Sequence, residues 1–117
     1  MNRQTLTDLS YLKEIAGGDR AVMKEFIELF LEQISEFRND MRMHLQNQEW
    51  TELGKTAHKA KSSVMTFGLN DLGIHLKQLQ IKTQMGSKIE SYASDVDEFI
   101  RVITLAEEEL KKELDHI

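Results

Sequence analysis

Apolar residues recur at intervals of three and four along almost the whole of this 117-residue chain, and no proline interrupts them. That spacing is the period of an amphipathic helix, and a strand would need alternation every second residue. Proline inside a helix removes a backbone donor and clashes with the preceding turn, so its absence lets each run continue. The longest run is Met23, Phe26, Ile27, Phe30, Ile34, Phe37, Met41 and Leu45, about six turns on one face. Before it, Thr5-Leu6-Thr7-Asp8 leads into a short helix carrying Leu9, Leu12, Ile15 and Ala16. Gly17-Gly18 ends that helix, and Asp19 is placed to cap the next. A break near Asn47-Gln48 opens a central helix from about Glu49 to Phe67, with Trp50, Leu53, Ala57, Ala60, Val64 and Phe67 as its seam. After the turn Gly68-Leu69-Asn70-Asp71, with Asn70 as its N-cap, a fourth helix turns Leu72, Leu76, Leu79 and Thr83 inward and stops at Met85-Gly86. Ser87 caps a fifth with Ile89, Ala93, Val96, Phe99, Ile100, Ile103, Ala106, Leu110 and Leu114 on one side. Glu107-Glu108-Glu109 and Lys111-Lys112-Glu113 form its solvated face. Four long helices joined by short turns predict an all-α, up-and-down antiparallel four-helix bundle, with the short N-terminal helix as an addition at one end.

Size and composition narrow the function. Residues 1–117 are enough for one domain with its own core, and no composition shift or linker divides them. Without cysteine, neither a disulfide framework nor a thiolate metal site can form. Asn2, Arg3 and Gln4 make a polar start, and no apolar run is long enough for a signal core or a membrane span, so a cytoplasmic protein is expected. A net charge of −5 argues against nucleic acid as the partner.

The chemistry concentrates on the central helix. His58 follows Ala57 by one residue and therefore sits off the seam, on the outer face. Around it stand Gly54, Lys55, Lys59, Lys61, Ser62 and Ser63, so the face reads small, basic, His, basic, small. Glycine within a helix costs about 1 kcal/mol relative to alanine, and serine is a mediocre helix former. A helix that accepts such residues beside an exposed imidazole keeps room for a bulky anion to approach. In an antiparallel hairpin Gln80 could return level with His58, where its carboxamide would accept a hydrogen bond from one ring N–H and leave the other nitrogen as nucleophile; an ordinary exposed glutamine fits the same spacing. Met65, an apolar residue on the same outer face, suggests a docking surface.

Other chemistries find little. Glu113-x-x-His116 is half of a di-iron carboxylate pattern, and its second half is missing. His44 reads as a boundary residue and His75 as a solvent-facing one. Met23, Met41, Met43 and Met85 read mostly as core filling. There is no glycine-rich phosphate loop, serine elbow or paired-carboxylate motif.

The stretch Ala57-His58, Lys61, Ser62-Ser63 and Phe67-Gly68 resembles the signature of the histidine-containing phosphotransfer (HPt) domain of two-component phosphorelays. The likeness extends to Gln80 on the following helix and to the order of a short helix before four bundle helices. Two positions depart from the pattern: Ser62 stands where glycine is usual, and Ala60 where leucine is usual.

The resemblance implies a phosphorelay intermediate that carries a phosphoryl group on His58 and exchanges it with the aspartate of a response-regulator receiver domain. It acts without kinase activity of its own. Lys61, aided by Lys55 or Lys59, would offset charge on the phosphoryl oxygens, and Gln80 would orient the imidazole. Gly54, Lys55, Lys59, Ser62, Ser63 and Met65 would form the surface that receives a receiver or a hybrid sensor histidine kinase. No cofactor is expected in this chain, since magnesium would belong to the receiver. A monomer is expected, because each stripe is wide enough to close one intramolecular core. A non-catalytic helical adaptor module is the alternative. A histidine-kinase dimerisation hairpin fits less well, because Lys59 rather than an acidic residue follows His58 and four bundle helices are already present.

Overall fold

The computed structural model describes residues 5–117; the polar start Asn2-Arg3-Gln4 lies outside the described residues. Helices α1 (Ser10–Ile15), α2 (Arg20–Gln46), α3 (Trp50–Thr66), α4 (Asn70–Met85) and α5 (Tyr92–Leu114) follow one another, with a single 3-10 turn at Ile89–Ser91. The last four close a ring in which α2 packs on α3, α3 on α4, α4 on α5 and α5 back on α2. This is the expected antiparallel bundle with a short extra helix, and there is no strand among the described residues.

The stripes account for the core. Ile27, Phe30, Ile34, Phe37 and Met41 of α2 meet Leu53, Ala57, Ala60 and Val64 of α3, and Leu72, Leu76 and Leu79 of α4 face Val96, Phe99, Ile103 and Leu110 of α5. Asp19 caps α2 as expected, its carboxylate accepting from the amides of Ala21 and Val22.

Several positions fall elsewhere than the spacing predicts. Phe26 is exposed. One turn later Phe30 stacks on Phe67, just past the end of α3, with ring centroids 4.2 Å apart. Phe26 lies at the flank of the seam, in which Ile27 beside it is fully buried. Asn70 is the first residue of α4 and not its cap, and Leu69 in the cap position offers no side-chain hydrogen bond. Ser87 does not cap α5, which starts after the 3-10 turn with Ser91 in the cap position. Tyr92 is buried where Ala93 was expected, because it stands four residues before Val96 on the same face and its ring packs against Trp50; Ile89 and Ala93 are exposed. The Tyr92 hydroxyl donates to the carbonyls of Lys82 and Ser87 at 2.9 and 2.8 Å, and burial pushes its pKa up. Among the described methionines only Met41 is buried; Met43 and Met85 are exposed, because they lie on outward faces of α2 and α4.

The charged face of α5 is only partly solvated. Glu107 forms a two-pronged pair with Arg38 of α2, at 2.9 and 3.1 Å. The guanidinium's hydrogen bonds hold its carboxyl below the usual glutamate range. Glu109 accepts from the backbone N–H groups of Leu6 and Thr7 and from the Thr7 hydroxyl, at 2.8, 3.1 and 3.0 Å. The Asp8 amide then donates to the carbonyl of Phe67. The segment before α1 is thereby strapped across one end of the bundle. Gly68 makes this crossing possible: its φ is +77°, and a Cβ there would come within 2.6–2.7 Å of Asp8.

Candidate functional site

Helices α3 and α4 approach closely because each sets a glycine against a side chain of the other. Gly54 of α3 lies against Thr83 of α4, where an added Cβ would sit 2.2 Å from the Thr83 hydroxyl oxygen. Near the other end Gly73 of α4 lies under Met65, where an added Cβ would come within 2.7 Å of the Met65 side chain. Gly54 was expected to open the outer face. It is buried instead, and its missing side chain lets the two backbones come together.

Between these two glycines the outer edges of α3 and α4 bring His58 and Gln80 together. The His58 ring is exposed, and its Nδ1 lies 3.2 Å from Gln80 Oε1. With the carboxamide oxygen as acceptor, the Nδ1–H tautomer is the one that makes this hydrogen bond, and that tautomer leaves the Nε2 lone pair free. Beside the pair runs a groove of about 520 Å³, walled by Gly54, Lys55, His58 and Lys59 of α3 and by Gln80 and Thr83 of α4. Lys55 also reaches Glu52, at 3.4 Å and well exposed, a pairing that solvent weakens.

The remaining expected residues divide into two groups. Ser62, one turn beyond His58, is exposed and leaves the approach open. Lys61 is half-buried and lies alongside Gly73, further along α3 than the groove. Neither Lys59 nor Lys61 makes an ion pair among the described residues. Met65 is 43% exposed on the same side. Ser63 leaves the group: its hydroxyl donates to Gln33 Oε1 of α2 at 3.1 Å, so it joins α3 to the opposite neighbour. Five residues beyond His58, it is carried about 140° round the helix.

Thr83 is the residue the spacing undervalued. It is a threonine where the stripe calls for a large apolar side chain, and its hydroxyl donates to the Gln80 carbonyl at 2.7 Å. The other histidines have structural partners. His44 meets Glu49 and His116 the carbonyl of Lys112. His75, expected to face solvent, is half-buried with Nε2 2.8 Å from the Asp95 carbonyl oxygen, because α5 packs beside it. No cluster of three His, Asp or Glu residues suited to a metal occurs among the described residues.

The family model of the Hpt domain matches residues 25–117, which takes in α3, α4 and α5 whole and most of α2. No curated protein and no solved structure matches.

Proposed function

The chain belongs to the Hpt domain family, and from that premise we propose that His58 is the residue that carries the phosphoryl group. Membership implies histidine phosphotransfer within a phosphorelay, by a carrier without kinase activity and without a cofactor of its own, in contact with receiver domains and kinases.

One observation carries the choice of residue. Of the four histidines, His58 alone combines exposure, a side-chain carboxamide on one ring nitrogen and an open groove beside the ring. Nε2 attacks the phosphorus of a receiver's aspartyl phosphate in line. The N–P bond forms as the bond to the aspartate oxygen breaks, the carboxylate leaves with its electron pair, and the Nδ1 proton stays on the ring against Gln80. Phosphoryl transfer of this kind depends on positioning and on offsetting charge. Lys61, with Lys59 and Lys55 nearby, supplies that charge, and the receiver brings magnesium. Lys55, Lys59, Ser62 and Met65 form the contact surface around the ring, and the buried Gly54 sets the helix spacing beneath it. Ser63 acts in holding α3 to α2.

The chain works as one domain and as a monomer of 13.6 kDa, a mass that sedimentation measures directly. Its place is the cytoplasm, beside its partners. The net charge of −5 gives it no attraction for nucleic acid or an anionic membrane. No helix among the described residues is long and apolar enough to cross a membrane.

The test is transfer from a receiver charged with acetyl phosphate. Wild type should take up an acid-labile, alkali-stable label. His58→Gln should take up none while keeping its helix content, since an exposed side chain is exchanged. A labelled His58→Gln variant would move the site elsewhere.

A further inference from the structure

We propose that Thr83 is a positioning residue for His58: its hydroxyl, set against Gly54 and anchored on the Gln80 carbonyl, fixes the distance at which the Gln80 carboxamide meets the imidazole. Two contacts lie side by side across the α3–α4 interface. Four residues before His58 on α3 is Gly54, and three residues after Gln80 on α4 is Thr83, so the pair His58–Gln80 and the pair Gly54–Thr83 stand one helical turn apart. The second pair is the tighter. Thr83 is 8% exposed, and a methyl on Gly54 would overlap its hydroxyl oxygen at 2.2 Å and approach its Cβ at 3.2 Å.

The same oxygen donates to the Gln80 carbonyl at 2.7 Å, so the atom that sets the gap between the helices also holds the residue that reaches across it. Threonine suits this place because its hydroxyl both fills the gap opposite Gly54 and donates to the Gln80 carbonyl, a pair of contacts that serine keeps and valine or leucine loses. The Nδ1–Oε1 distance of 3.2 Å is already at the long end for an N–H···O bond. A small increase in helix separation therefore breaks it and frees the ring proton to move to Nε2, which removes the nucleophile.

The transfer part of this inference rests on His58 as phosphoryl acceptor; the tautomer part does not. The experiment reads both: nitrogen NMR of the His58 ring, and transfer rate from a charged receiver. Wild type and Thr83→Ser should hold the proton on Nδ1 and transfer at similar rates. Thr83→Val, which puts a methyl in place of the hydroxyl, should show mixed tautomers and transfer slowed about three- to tenfold, the effect of one neutral hydrogen bond. Gly54→Ala should give the same two changes, and Gly54→Ala combined with Thr83→Ala should restore the Nδ1 tautomer by removing the overlapping oxygen. If Thr83→Val does not fold, the glycine pair carries the test alone. Unchanged tautomers in Thr83→Val and Gly54→Ala would overturn the proposal, as would equal losses in Thr83→Ser and Thr83→Val. A tautomer that responds as described in a protein that takes no label would uphold the positioning role and sink the phosphocarrier assignment of His58. A labelled His58 with an unresponsive tautomer would do the reverse.

Discussion

Gln80 Oε1 sits 3.2 Å from His58 Nδ1, joining two residues 22 apart in the chain across the α3–α4 interface. The contact lies on the outside of the bundle, where water competes, so its value lies in orienting the ring more than in stability. Gln80→Ala should slow phosphoryl transfer about three- to tenfold, as expected for losing one hydrogen bond near 1 kcal/mol. Its melting temperature should stay close to wild type. Quenched transfer from a charged receiver measures the first and circular dichroism the second; an unchanged rate would remove Gln80 from the mechanism.

The lysines separate by position. Lys61→Ala should slow transfer about ten- to a thousandfold, the range seen when one donor to a developing charge is removed. Lys55→Ala and Lys59→Ala should cost only about two- to fivefold, because exposed charges are screened by salt. The same rate assay ranks all three. A larger loss in Lys59→Ala than in Lys61→Ala would assign the charge-offsetting role to the groove lysine.

Gly54 and Gly73 should respond differently to the same added methyl. At Gly73 the obstacle is the flexible, half-exposed Met65 side chain, which can move aside. Gly73→Ala should therefore be neutral or stabilising by up to about 1 kcal/mol, the gain in helix propensity. At Gly54 the obstacle is the buried, branched Thr83, so Gly54→Ala should lose about 1–3 kcal/mol through overpacking. Urea midpoints of the two variants decide the matter, and equal midpoints would mean that α4 yields as easily at both ends.

The Arg38–Glu107 pair ties the first long helix to the last, and it should give the protein part of its resistance to acid. The Glu107 carboxyl titrates below its ordinary value of 4.5 in the folded chain. Its contribution is therefore complete above about pH 4.5 and lost as pH falls through the lower folded value. Glu107→Gln should lower stability at neutral pH by about 1–2 kcal/mol, the worth of a charge-assisted hydrogen bond. The gap between variant and wild type should shrink below pH 4. A constant gap across that range, measured by urea unfolding, would show that the charge contributes nothing.

Periodicity exposes what depends on a helix's own register. The outward position of His58 was readable for that reason, whereas spacing left open whether Gln80 met it, and the resemblance to the family's pattern singled that glutamine out. Asp19 was readable because capping is local. What depends on a neighbour's end or side was not. Phe26 is four residues before Phe30, yet Ile27 beside it takes the buried place in the seam and Phe26 is left at the flank. Tyr92 is buried in place of Ala93 because Trp50 of α3 packs on its ring and its hydroxyl reaches the carbonyls of Lys82 and Ser87. Ser63 looks like one more small residue near His58 until Gln33 is found opposite it. The reason for Gly54 lies wholly on α4, in a threonine that reads by itself as an ordinary inward position.

The strap across the bundle end has a consequence for kinetics. Phe67 just past the end of α3 is held by the Asp8 amide and by its stack on Phe30, while Trp50 at the start packs edge-on against Tyr92, with ring centroids 5.3 Å apart. A nucleophile midway along a rod fastened at both ends has little left to arrange except two torsions of its own side chain. The search for a reactive geometry then falls to the incoming protein, and on the carrier's side the ordering cost of the encounter is confined to exposed side chains such as Lys55, Lys59 and Met65.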